Sequence, residues 1–158
     1  MNTRVHLASV IAVIGLLLPV APAALADGAT TITQRSRQVD VNPGETNTCN
    51  GSMGTITNDE QDVFHITTPP DGTYRLTGHS TAQVTFEPDD PAQPTYTGHE
   101  TFSIEQTRSS QTFTTTVRFH ARLRGRDGSF ITIGDLVHFT VSASGVVVAF
   151  DKPTFICS

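Results

Sequence analysis

Glu100 and Asp135 come nearer than any other pair in this 158-residue sequence to the makings of a reaction centre. Each stands where its segment otherwise carries an apolar residue at every second place: Tyr96, Phe102 and Ile104 around Glu100, Ile133 and Val137 around Asp135. A carboxyl group held among apolar side chains is pushed toward its neutral form and becomes usable as a proton donor or ligand anchor. A two-residue Ser109-Ser110 turn sets Glu100 opposite Phe119, and a three-residue Arg126–Gly128 turn sets Asp135 on the other side of the same ring. Carboxylates two strands apart are about 10 Å apart, close to the about 6.5–9.5 Å of an inverting glycosidase. Against that chemistry stand short loops, the absence of Trp as a sugar platform, and a Gly134-Asp135 step that would turn Asp135 outward if bulged. Glu100, Phe119 and Asp135 are therefore assigned as ligand-binding residues, and no residue is assigned a catalytic role.

The second set is basic. Arg118, His120, Arg122 and Arg124 alternate with Val117, Phe119, Ala121 and Leu123, and so share the opposite face of one strand. Arg108 and Arg126 flank that strand, so a basic stripe suited to an anionic polymer runs along it. No aromatic residues interleave with the arginines, which removes the usual signal for stacking on single-stranded nucleic acid. His65, His79, His99, His120 and His138 all fall on the outward parity. The short Ser109-Ser110 turn would pair His99 with His120, two imidazoles with no third ligand beside them, so no metal site is assigned. Nucleophile-elbow, zinc-protease, phosphate-loop and calcium-loop patterns are absent, and no cofactor is implied.

These residues are positioned by period-two alternation that runs from Tyr74 to Phe150. Strand segments Thr73–Glu87, Thr95–Gln106, Gln111–Arg124, Ser129–Ser142 and Val146–Asp151 are separated by short Pro, Gly, Asp and Ser turns, so sequence neighbours pair antiparallel. Even positions point inward on the first two and the last of these, odd positions on Gln111–Arg124 and Ser129–Ser142. Thr31–Val41, Ser52–Asn58 and Val63–Thr68 are further strand segments, with Asn42-Pro43-Gly44 and Asn50-Gly51 as turns. The expectation is an all-β meander of about eight strands, an up-and-down β-barrel of the lipocalin-like kind, with a β-sandwich as the alternative.

The ends bear on compartment. Arg4, the apolar run Leu7–Val20 and Ala24-Leu25-Ala26 form a secretory signal cleaved before Asp27, leaving a single domain over 27–158. The mature chain holds nine basic and fifteen acidic residues, a formal charge of −6 that disfavours nucleic acid. No later stretch is apolar enough to span a membrane. Cys49 and Cys157 are expected to form one disulfide in an exported chain.

Phe86-Glu87-Pro88-Asp89-Asp90-Pro91, Pro94-Thr95-Tyr96-Thr97-Gly98-His99, Arg126-Asp127-Gly128-Ser129 and His138–Gly145 with Phe150-Asp151-Lys152-Pro153 resemble small secreted proteins of high-GC Gram-positive bacteria. The resemblance covers residues 60–153. It implies export and an all-β fold, and it carries no activity, substrate or site residue. Three functions follow from the residues themselves. The first is a non-catalytic module that holds a small apolar ligand inside the sheet. The second is a surface protein that binds anionic cell-envelope polymers through the arginines. The third is a small barrel cyclase or isomerase built on Glu100 and Asp135.

Overall fold

The structure is a computed structural model and describes residues 28–158, apart from the side chains of 146–148; the expected signal segment 1–26 lies outside the described residues. Eight strands follow one another: β1 (Thr30–Thr46), β2 (Met53–Thr68), β3 (Tyr74–Pro88), β4 (Tyr96–Arg108), β5 (Thr112–Gly125), β6 (Phe130–Ser142), β7 (Gly145–Asp151) and β8 (Thr154–Cys157). They form one antiparallel sheet in sequence order, β1 to β7, with β8 returning to pair with β6 beside β7. The all-β meander is as expected. The hydrogen-bonded ladder does not close on itself: among the described residues β1 pairs only with β2, and β7 and β8 pair only with β6. No helix of the described residues is long and apolar enough to cross a membrane.

The first third differs from the segments expected. The expected segments Ser52–Asn58, from Met53 on, and Val63–Thr68 are parts of the single strand β2, and Asn42-Pro43-Gly44 is a bulge inside β1, with a register shift between Pro43 and Glu45. Gly44 takes a φ of 77°, which permits the bulge at that position. The run Asp59–Asp62 reads as a break because it is acidic, yet three of its side chains find cross-strand partners. Asp59 accepts from Arg37 at 2.7 and 2.9 Å, Glu60 from Gln38 at 3.2 Å, and Asp62 from Ser36 at 2.8 Å.

The β4–β5 register also differs. Ser109 N–H donates to Thr112 O, and Ser109 Oγ accepts from the N–H groups of Gln111 and Thr112. This side-chain-stabilised turn occupies four residues and moves the pairing by two. Glu100 therefore faces Ala121 rather than Phe119, and His99 faces Arg122 rather than His120. A shift of two leaves each side chain on its expected face. The β5–β6 register is as expected and is unbroken through Gly134, so Asp135 faces Phe119 and points inward. In β7 a shift at Thr140/Val141 reverses the parity expected for its end: Phe150 points outward and stacks on His138 at 5.3 Å.

Register assigns every strand an inner and an outer face, since directly paired residues share a face. The buried core is Ala82, Val84, Phe86, Tyr96, Leu123 and Ile131, against which Cys49, Ile56 and Ile133 pack. It gathers inner residues of β2–β6 at one end of the sheet. At that end Cys49, in the loop after β1, is bonded to Cys157 at the end of β8, with a Cα–Cα distance of 5.7 Å. The disulfide thus ties the first hairpin to the last strand where no ladder joins them.

Candidate functional site

Moving away from the disulfide end, the inner face changes character twice. Beyond the apolar floor, paired positions across β1–β5 read Gln38, Glu60, Ala82, Glu100 and Ala121. The next row reads Ser36, Asp62, Ser80, Phe102, Phe119 and Asp135. Beyond these the face is mostly apolar again, with Phe64, Ile104, Val117 and Val137 in one row and Ile66, Leu76 and Phe139 in the next. A polar belt is therefore enclosed between an apolar floor and an apolar outer zone.

The belt is held in place by its own bonds. Asp62 is buried, and its carboxylate accepts from Ser36 Oγ at 2.8 Å and from Ser80 Oγ, itself buried. Glu60 and Glu100 flank the small side chain of Ala82. Burial, then the charge of Glu60, pushes Glu100 up to about 7. Glu60 is likewise raised, first by burial, while Gln38 lowers it and Asp62 raises it. Asp135 is raised by burial and then by Asp151, the neighbour that β7 places on the same face. One Asp135 carboxyl oxygen is buried with no hydrogen-bond partner, as is Asn58 Oδ1 beside Glu60.

Six carboxylates share the inner face: Asp40, Glu60, Asp62, Glu100, Asp135 and Asp151. The only cation of the same parity in the strands is Arg108, exposed at the end of β4. No group of three or more His, Cys, Asp or Glu among the described residues is placed to hold a metal ion.

The structure brings Phe119 and Asp135 together as expected, with Phe102 on the other side of Phe119. It separates Glu100 from Asp135 by two strands and two residues, or about 12 Å between backbones. Glu100 instead belongs with Glu60 and Asp62, which the sequence did not single out. The signal that would have found them is Phe64 and Ile66, which continue the parity of Glu60 and Asp62 through the acidic run.

The apolar zone is only partly covered. Phe64, Phe102, Ile104, Phe113, Phe119 and Phe139 are half-buried. Phe64 lies directly over Gly78, where any Cβ would strike its ring, and Phe113 lies 5.5 Å from Phe139. At the disulfide end an open cleft of about 450 Å³ lies between Cys49, Gln93, Tyr96, Asp127, Phe130 and Cys157. Its polar groups are already engaged, with Ser129 Oγ 2.9 Å from the Tyr96 hydroxyl and 2.6 Å from Asp127. The inner face is the stronger candidate.

All five histidines of the described residues point outward; His65, His79, His99 and His120 are exposed, and His138 is half-buried with Nδ1 2.8 Å from Thr116 Oγ1. Arg118, His120, Arg122 and Arg124 are exposed on the outer face of β5 as expected. No protein-family model, no curated protein and no solved structure matches the chain.

Proposed function

We propose that this chain is an exported, non-catalytic binding protein whose inner sheet face holds a small, mainly apolar ligand carrying one cationic or hydrogen-bond-donating group. The observation that carries this reading is the acidic belt beneath half-buried aromatic and aliphatic rows. Buried carboxylates are costly unless paired, and three of these are held toward their neutral form first by burial and then by a neighbouring carboxylate, Asp62 for Glu60, Glu60 for Glu100 and Asp151 for Asp135. A ligand cation or donor beside Glu60 and Glu100, which flank Ala82, relieves that cost, while the ligand's apolar body covers Phe102, Phe119 and Ile104. An anionic headgroup such as a fatty-acid carboxylate meets like charge. Export is supported by the signal-type N-terminus and by the Cys49–Cys157 disulfide, a bond of oxidising compartments. Glu100 and Asp135 stand too far apart in register for the paired-acid chemistry that their parity suggested, so the reading is of binding rather than catalysis.

The test is displacement of a neutral polarity-sensitive fluorophore from the mature, oxidised protein. Saturable uptake is expected, weakened about ten-fold or more by Phe119→Ala, which removes about 1.5–3 kcal/mol of apolar contact. Absence of saturable uptake, or uptake indifferent to Phe119→Ala, contradicts an inner-face site.

A further inference from the structure

The outer face of the sheet carries the opposite charge. Along β5, Arg118, His120, Arg122 and Arg124 form a column, and His99 of β4 stands directly beside Arg122. On the outer face of β3–β6 the carboxylates are Glu87 and Glu105. Glu105 reaches Arg118 at 3.6 Å, with both side chains more than half exposed, a pairing that a competing anion displaces at little cost. Arg122 and Arg124 have no carboxylate within salt-bridge distance among the described residues. Instead their guanidinium carbons lie 4.9 and 5.7 Å from the centroid of the Phe130 ring. Two guanidiniums on one ring are held side by side, which lowers the entropy lost when both engage a ligand. Gly134, paired with His120, adds no side chain to the face, so the column is bordered by a dip in its middle.

We propose that this column is a docking surface for a linear polymer of polyol or sugar phosphodiesters. Charge complementarity selects an anion. Same-face residues recur about every 6.6–6.8 Å along a strand, so the column meets an extended chain with one charge per short repeat rather than a compact multivalent ion. The guanidinium fork matches the two free oxygens of a phosphodiester. Nucleic acid shares that backbone but also needs aromatic platforms for its bases, and the one outward ring beside the column, Phe130, is occupied by guanidiniums.

The test is equilibrium binding of poly(glycerol phosphate) to the mature, oxidised protein over a range of salt, with oligo-dT and dextran sulfate of equal charge as competitors. Arg122→Ala with Arg124→Ala should weaken binding about ten-fold or more. The slope of log affinity against log salt should become shallower by about 1.4, two contacts at about 0.7 each for a flexible chain. Arg35→Ala, on the outer face of the distant strand β1, should change affinity less than two-fold. Circular dichroism of each variant reports the fold, and both arginines are exposed, so loss of binding with an intact sheet is attributable to the column. The proposal is overturned by salt-insensitive binding, by an Arg35→Ala effect equal to that of the double variant, or by oligo-dT or dextran sulfate binding as tightly as the polyol phosphate.

Discussion

At the scale of single residues, Glu100 is the most informative. Its carboxyl is raised to about 7 in the folded protein, against an ordinary value near 4.5, chiefly because it is buried. Between those values the folded state holds a proton that the unfolded chain has released. Stability is therefore fully present below about pH 4.5 and is lost as pH rises to about 7, by on the order of 3 kcal/mol for this group alone. Glu60 and Asp135 are raised too and act in the same direction. Urea denaturation across this range should show the wild-type protein losing stability with rising pH and Glu100→Gln with a visibly flatter profile. A variant whose profile is as steep as the wild type would mean that Glu100 is solvated.

Among the elements, β3 to β5 were legible because each has a more covered and a wetter face, so that alternation in the sequence reports alternation in burial, while β6 was legible from its apolar alternation although it is at least half-buried along its length. β1 and β2 were not. Nearly every residue of β1 is exposed on both faces, leaving no apolar period to read, and the acidic run of β2 is held by partners on β1 and β3 that only the pairing reveals. Turn length was the other gap: the Ser109 side chain stabilises a four-residue turn, a detail of hydrogen bonding that a Ser-Ser pair does not specify. Faces survived this error and neighbours did not, which is why Glu100 kept its inward place while losing Phe119. β8 was missed because Thr154–Cys157 is too short to show a period. Its place is fixed by pairing with β6 and by the bond to Cys49, which encloses a long stretch of chain at a sequence separation of 108. Replacing both cysteines by serine should cost on the order of 4–5 kcal/mol, measured as the loss in denaturant stability. A cost under about 1 kcal/mol would mean that the two ends of the sheet stay together without the bond.

In the molecule as a whole, charge is sorted by face. Carboxylates collect inside the sheet, while arginines and histidines collect outside it on β3–β6. Of the seven exposed large apolar side chains among the described residues, six lie on strands paired on one side only: Ile32, Val39 and Val41 on β1, and Phe150, Phe155 and Ile156 on β7 and β8. The apolar rows of the inner face are only half-covered by the chain itself, and in the proposed function the acidic belt beneath them selects the ligand that completes them. The direct measurement is calorimetric titration of the mature, oxidised protein at about pH 8 with alkyl chains of one length ending in ammonium, hydroxyl or carboxylate. At that pH Glu100, raised to about 7, is mostly ionised. The ammonium form should bind tightest and the carboxylate form weakest, and Glu60→Gln with Glu100→Gln should bring the three together. Equal affinity for all three chains in the wild type, or tightest binding of the carboxylate, would contradict an acidic recognition belt on the inner face.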